Sequence, residues 1–478
     1  MIIGPPDGAF YLTSSGPGQR SDTGPATRLE LRRSLGLPHA TSLVVGTIIG
    51  ASIFVQASEI ADLVPNIPAV LLAWTICGIL TMFGALACAE LVSAYPRTGG
   101  VYVFLKESFG PAVGFLWGWS MFWVMHSGII AVMAVVFARY AAFFAPLDDR
   151  GIRAVAVAAI VVISTINYFG VKLGGTLQTA CTAGKLIAIV LLVSFGFIVG
   201  SNLTTHFQYS ASVPAPARHA VSLSGFLLAL MAGLFAFGGW HIVTYTAEET
   251  VRPERTIPLA LVSGILIVTA SYVALNAAYF YVLPFDRVMA SSRVAADAAT
   301  VLVGARGAAV ISGLVTFSAF GAMSGSILAA PRVYFAMARD GLLFRWVDHL
   351  HPRFRTPHRA ILLQAVWASV LVWSGTYRQL FTRVIFTEWI FFTLMAGGIF
   401  VLRRRPDYRP SYRMWGYPWV PAVFMLAAAT IVVNRLAAEP LDSAIGLALV
   451  GLGVPVFYAW CRWRPGGPDR RSHPPARA

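Results

Sequence analysis

Twelve apolar stretches, each about long enough to cross a bilayer, follow one another between residues 39 and 462. Nothing else in the chain restricts its fold as tightly. A hydrocarbon core is crossed by roughly 20 apolar residues of helix, and backbone inside it must satisfy its own hydrogen bonds. The stretches are 39–58, 69–94, 112–144, 151–170, 177–200, 222–247, 257–283, 303–337, 358–376, 379–402, 417–437 and 442–462. They predict an all-α polytopic membrane protein of 12 transmembrane helices. The separators between 112–144 and 151–170, and between 358–376 and 379–402, are short. Composition agrees. Charged residues make up 12% of the chain and hydrophobic ones 57%, whereas a soluble protein carries roughly 25% charge.

A net charge of +15 invites a nucleic-acid reading, but the charges are placed for another purpose. With alternate loops assigned to opposite faces, 25 of the 36 Lys and Arg fall on the face that holds both chain ends. Ten fall on the other, and Lys185 sits inside a span. This is the positive-inside pattern, with both termini in the cytoplasm. Residues 1–36, rich in Gly, Pro, Ser and Thr, read as a disordered cytoplasmic tail rather than a signal peptide, and 463–478 as a basic tail. Arg462, Arg464, Arg470, Arg471 and Arg477 suit contact with anionic membrane lipids. No nucleic-acid partner is expected. Cys77, Cys88, Cys181 and Cys461 all lie in or at the edge of spans, and no CxxC pair is present, so neither a disulfide framework nor zinc is implied. No cofactor is expected. HExxH and GxSxG motifs are also missing, which argues against a membrane-embedded enzyme. The 33 Arg to 3 Lys suggest GC-rich bacterial coding, and hence a bacterial inner membrane.

Two spans are interrupted alike. The first reads Gly46-Thr-Ile-Ile-Gly50-Ala51-Ser52-Ile53-Phe54 and the sixth Gly233-Leu-Phe-Ala-Phe-Gly238-Gly239-Trp240. They open two halves of five spans, about 39–200 and 222–402, with two extra helices at 417–462. Matching Gly-interrupted segments in two halves point to an inverted-repeat transporter and its binding site. Glycine costs a helix interior roughly 1 kcal/mol against alanine. A break bares N–H groups at one half-helix start and C=O groups at the other's end, with partial positive and negative charge. Two such breaks suit a zwitterion, whose carboxylate and ammonium sit at fixed separation. Close-packing of small residues would explain either segment alone.

Longer stretches resemble the amino acid–polyamine–organocation superfamily, and within it the L-type amino-acid transporters. They are GTIIGASIF (46–54), PRTGGVYVFLKESFGPAVGFLWGW (96–119), NYFGVK (167–172), GKL (184–186), GLFAFGGWHIVTYTAEETVRPERTIPLAL (233–261), FGAMSGSILAAPRVYFAMARDG (320–341) and EPLDSAIGLALVGLGVPVFY (439–458). The resemblance covers about 35–460. It implies the five-plus-five inverted repeat with discontinuous helices 1 and 6 plus two C-terminal helices, and alternating-access transport of amino acids, as sodium-independent exchange or proton-coupled uptake of neutral substrates. It also implies a substrate site along Ile48, Ile49, Gly50, Ala51 and Ser52 and along Phe235, Ala236, Gly238, Gly239, Trp240 and His241. The carboxylate would meet the N–H of Ala51 and Ser52. The ammonium would meet the C=O of Ile48, Phe235 and Gly238, and Phe235 would close over the substrate. Lys185 would stand where related carriers hold sodium, beside Ser324 and Ser326. Three departures bear on substrate: Gly50-Ala51-Ser52 for the usual G-S-G, His241 where Asn is frequent, and Glu388 where an uncharged polar residue is common. The outer-loop cysteine that ties animal members to a glycoprotein partner is missing, so no disulfide-linked heavy chain is expected.

Charged residues within spans are expensive and face the bundle interior or water. Lys185 reads as a coupling group or as a tether for the broken first span, and Glu388 as a determinant of cationic substrates, a proton site or a hydrogen-bonded helix contact. Glu90, Glu248 and Glu249 read as partners of inner-loop arginines such as Arg97 or Arg332. The alternative functions are a cationic amino-acid or polyamine carrier, or a transporter-like sensor.

Overall fold

The computed structural model describes residues 30–50, 53, 56–199, 222–291, 294–375 and 377–463, without the side chains of 305, 308 and 377–384. Among them the regular elements are helices, apart from one isolated bridge between Leu35 and Thr250. Ten helices are long and apolar enough to cross a membrane. They include the second span (Ile67–Ala94), third (Pro111–Ala141), fourth (Asp149–Tyr168), fifth (Val171–Val199), sixth (Leu223–Glu249) and seventh (Pro253–Val282). The eighth runs Gly307–Ala329 and Pro331–Arg339, the tenth Tyr377–Leu402, the eleventh Trp419–Ala438 and the twelfth Pro440–Trp463. Two segments miss that length for different reasons. The first span is split into Leu37–Ile48 and Gln56–Leu63, and the ninth, His358–Ser374, has only 17 residues. Counting them gives the expected twelve.

Both short separators are real. Asp148 caps the fourth span, its carboxylate accepting from Gly151 N at 2.8 Å, which supplies one of the donors a helix start leaves orphaned. The ninth span stops at Gly375, whose φ of 75° lies where glycine alone rests without strain. Asn66 and Ser222 cap the second and sixth spans in the same way.

The inner half of the first span is the buried axis of the bundle. Leu43 to Ile48 are all buried, packed on the fifth, sixth, seventh and eighth spans. Between helices in lipid the apolar driving force is weak, so small residues and close approach hold the bundle together. A Cβ on Gly264 of the seventh span would fall 2.6 Å from Val44 Cγ1, and one on Gly325 of the eighth 2.6 Å from Thr47 Cγ2. At the periphery the fifth span shows Ile187, Val190, Leu191 and Ile198 outward, a face suited to lipid. The eleventh and twelfth spans pack on the tenth. Both ends of the described chain lie on one face. Leu35 pairs with the end of the sixth span, and Trp460 donates to Gly341 O beyond the eighth.

Candidate functional site

The first and sixth spans both come apart midway along their length. In the first, helix ends at Ile48, and Gly50 N turns back to Ile48 O at 2.8 Å. In the sixth, helix ends at Ala236, and Gly239 takes φ 103° before the chain continues as a 3-10 helix, Trp240–Glu249. The two breaks touch: Thr47 donates to Gly239 O at 3.2 Å. Tyr272 of the seventh span bridges them, its hydroxyl 3.0 Å from both Ile48 O and Ala236 O. Sequence reading missed this residue, which sits in an ordinary apolar run and is distinguished only by facing the breaks.

Of the three carbonyls expected to face an ammonium, Ile48 O already accepts from Gly50 N and Tyr272, and Phe235 O accepts from Gly238 N. The Gly238 carbonyl receives no hydrogen bond among the described residues. Ala51 and Ser52, expected at the carboxylate, lie outside the described residues.

Lys185 is 1% exposed, deep in the fifth span. Its ammonium donates to Gly46 O at 2.9 Å and Ile49 O at 2.7 Å, the carbonyls that the break leaves without helical partners. Ser318 of the eighth span reaches the same edge, donating to Gly50 O at 3.2 Å. A Cβ on Gly321 would lie 3.2 Å from the ammonium, so only glycine lets the eighth span come this close. The sequence had pointed instead to Ser324 and Ser326. Ser326 bonds its own helix at Ala322 O, and the Ser324 hydroxyl is buried with no partner among the described residues. The reason is angular. Ser318, Gly321 and Gly325 share one helical face, and positions 324 and 326 lie about 100° to either side of Gly325.

Below the break a cavity of about 50 Å³ is lined by Thr47, Ile48, Phe235, Ala236, Gly238, Gly239, His241 and Glu388. The third span adds Met125, His126, Ile129 and Met133, presented by a π-helical turn at Met121–Met125, a distortion frequent at functional sites. His126 lies 3.2 Å from the Tyr334 hydroxyl and 3.4 Å from that of Tyr245. His241 Nε2 lies 3.5 Å from Glu388 Oε1, beyond hydrogen-bond geometry. Trp240, expected near the pocket, turns away and packs on Phe392 of the tenth span at 5.0 Å between ring centres.

Phe235 and Ile385 line this cavity and also a second one of about 510 Å³ toward the face opposite the chain ends. On the chain-end face the inner ends of the sixth and eighth spans are joined by charge. Arg332 forms a two-pronged pair with Glu249, at 2.6 and 2.9 Å, with both side chains 0% exposed. Arg339 pairs with Glu248, and Lys106 meets Asp340 at 2.6 Å. Arg97 pairs with Glu107 rather than with an acid of the spans. Glu90 takes neither Arg97 nor Arg332. It binds Arg403 at 2.6 Å and Met414 N at 2.8 Å, pinning the loop after the tenth span.

The bundle thus has paired breaks in its first and sixth spans, a buried lysine at one and a small cavity between them. The family model for amino acid permeases matches residues 35–456. The chain belongs to the amino acid permease family. Like other amino acid permeases it is a transporter and not an enzyme. It is 32% identical over 433 residues to a serine/threonine exchanger of Bacillus subtilis, covering 90% of this chain and 97% of that relative. It is 30% identical to the human cystine/glutamate transporter, covering 91% of this chain and 87% of the relative, and 30% identical to the human large neutral amino acids transporter small subunit 2, covering 91% and 81%.

Proposed function

We propose that this permease exchanges small neutral amino acids without sodium, its substrate held between the two broken helices, and with both termini in the cytoplasm. The observation that carries the reading is the Lys185 ammonium, bonded to Gly46 O and Ile49 O against Gly321. A lysine Nζ donating to both carbonyls at that edge does for them what a bound cation would do, so the first span keeps its shape with no ion supplied. The Gly238 carbonyl and the half-helix ends are left to the substrate's charges. A cavity of about 50 Å³ has room for only a few waters, which favours short side chains and requires Phe235 to swing aside on entry. The serine/threonine exchanger among the relatives supports the same class.

The test is exchange in liposomes. Purified protein reconstituted with internal serine should take up labelled serine, threonine or alanine at the same rate in sodium as in choline, and hardly at all from empty vesicles. A rate that rises with sodium, or equal uptake into empty vesicles, overturns sodium-independent exchange.

One observation favours a second reading, transport of basic substrates: Glu388 faces the cavity with no Lys or Arg partner among the described residues. A short diamino acid would then compete for uptake within tenfold of serine, and Glu388→Gln would shift that ratio toward serine by tenfold or more. An unchanged ratio removes Glu388 from side-chain recognition.

A further inference from the structure

The cavity beyond Phe235 is itself chemically composed. We propose that it is a second amino-acid site, a waiting position on the outer side of the gate formed by Phe235 and Ile385. The proposal builds on the reading of this permease as an amino-acid exchanger. At about 510 Å³ the chamber is some ten times the central cavity, and Phe235 and Ile385 are the wall between the two.

Its polar groups carry both signs. Arg435, near the end of the eleventh span, and Glu439 one turn on form a bidentate pair at 2.7 and 2.5 Å. A guanidinium has five N–H donors, so three remain for an incoming carboxylate. Across the chamber, on the outer half of the first span, stand Gln56 and Glu59. Gln56 Oε1 is buried without a hydrogen-bond partner among the described residues, and Glu59 meets no cation among them. An unpaired amide oxygen and an unpaired carboxylate facing a guanidinium fit a molecule with an ammonium and a carboxylate. Neither a simple anion nor a simple cation satisfies both walls. Between the charges Met231, Ile431 and Trp389 supply apolar surface for a side chain.

The position gives the site a direction. A substrate held there reaches the central cavity when the Phe235 side chain turns, so the site acts on entry from that face alone. A plain helix-end ion pair would stabilise the fold equally for transport in either direction.

Saturation binding of labelled L-serine to protein in nanodiscs, with exchange kinetics measured from each face of oriented liposomes, tests this. Wild type should bind two serines per chain. Arg435→Ala should bind one and raise KM at least tenfold from the vestibule face, with less than twofold change from the other. Ile431→Trp, which fills the chamber without touching its charges, should do the same and covers the case in which Arg435→Ala does not fold. A single serine per wild-type chain, or KM changes equal on both faces in these variants, overturns the proposal. Failure to exchange any amino acid would instead overturn the exchanger reading on which it rests.

Discussion

At the scale of single residues, Lys185 was legible because an ammonium in an apolar run is costly enough to demand a reason, roughly 2.5–3.5 kcal/mol at a helix centre. Tyr272, Ser318 and Gly321 were not, because neutral residues in a span raise no such alarm until the packing face is known. The geometry around Lys185 makes a definite prediction. Lys185→Ala leaves Gly46 O without its donor and Ile49 O with only the longer bond from Ser318, at 3.4 Å, and hydrogen bonds from a charged group are worth about 1.5–3 kcal/mol each. Losing even one of that strength corresponds to roughly tenfold or more, so serine exchange should fall at least tenfold. The same variant separates tether from proton carrier. If the lysine is a tether, residual uptake keeps the wild-type pH profile; if it carries the coupling proton, the profile flattens. Measuring exchange against pH in both proteins decides it.

At the scale of the element, sequence located both breaks to within a residue or two, since glycine pairs at mid-span weaken helical continuity wherever they occur. It did not show how the break in the sixth span is closed, with a turn, a left-handed glycine and a 3-10 continuation. It also missed the π-turn of the third span, where no Gly or Pro marks the distortion. The tolerance of Gly239 is the sharpest consequence. An alanine there meets two penalties: a φ of 103°, and Thr47 Cβ and O each 3.3 Å away. Gly110, at φ 96° with nothing within 4 Å, meets only the first. The left-handed backbone of Gly239 costs a side chain roughly 1–2 kcal/mol, and the positive-φ extended backbone of Gly110, with ψ 172°, costs roughly 1–3 kcal/mol, so both variants should lose a few degrees of Tm on that account. Only Gly239→Ala pushes the two broken helices apart, so it alone should cut exchange by tenfold or more. Equal exchange in the two variants would mean that the contact between the breaks is not needed for transport.

At the scale of the whole molecule, the twelve-span layout followed from hydropathy, and the pairing of Glu249 with Arg332 from the acids and arginines at the inner ends of the spans, while the strap across the chain-end face did not, because it joins residues from opposite halves of the sequence. Leu35 pairs with Glu249 and Val251, so the segment before the first span is strapped across the end of the sixth. Beside it lie two ion pairs of unlike character. Arg332 and Glu249 are wholly buried, and removing one partner of such a pair costs roughly 3–5 kcal/mol. Arg339 and Glu248 are 31% and 24% exposed, so water and salt weaken their attraction. The exposed pair is the one that borders the surface notch lined by Glu30, Arg33 and His349, so opening of this face is expected to begin there. A cysteine at Ile242, which lines the central cavity from the inner half of the sixth span, reports that opening. Its labelling by a polar thiol reagent, corrected for the four native cysteines, should rise severalfold between low and high salt. Arg339→Gln should label fast at low salt already and respond little to more. Arg332→Ala should lower Tm by many degrees, because it strands a buried carboxylate. Labelling that ignores both salt and Arg339→Gln would show that the exposed pair does not hold this face shut, and would leave the buried pair and the strap as the closure.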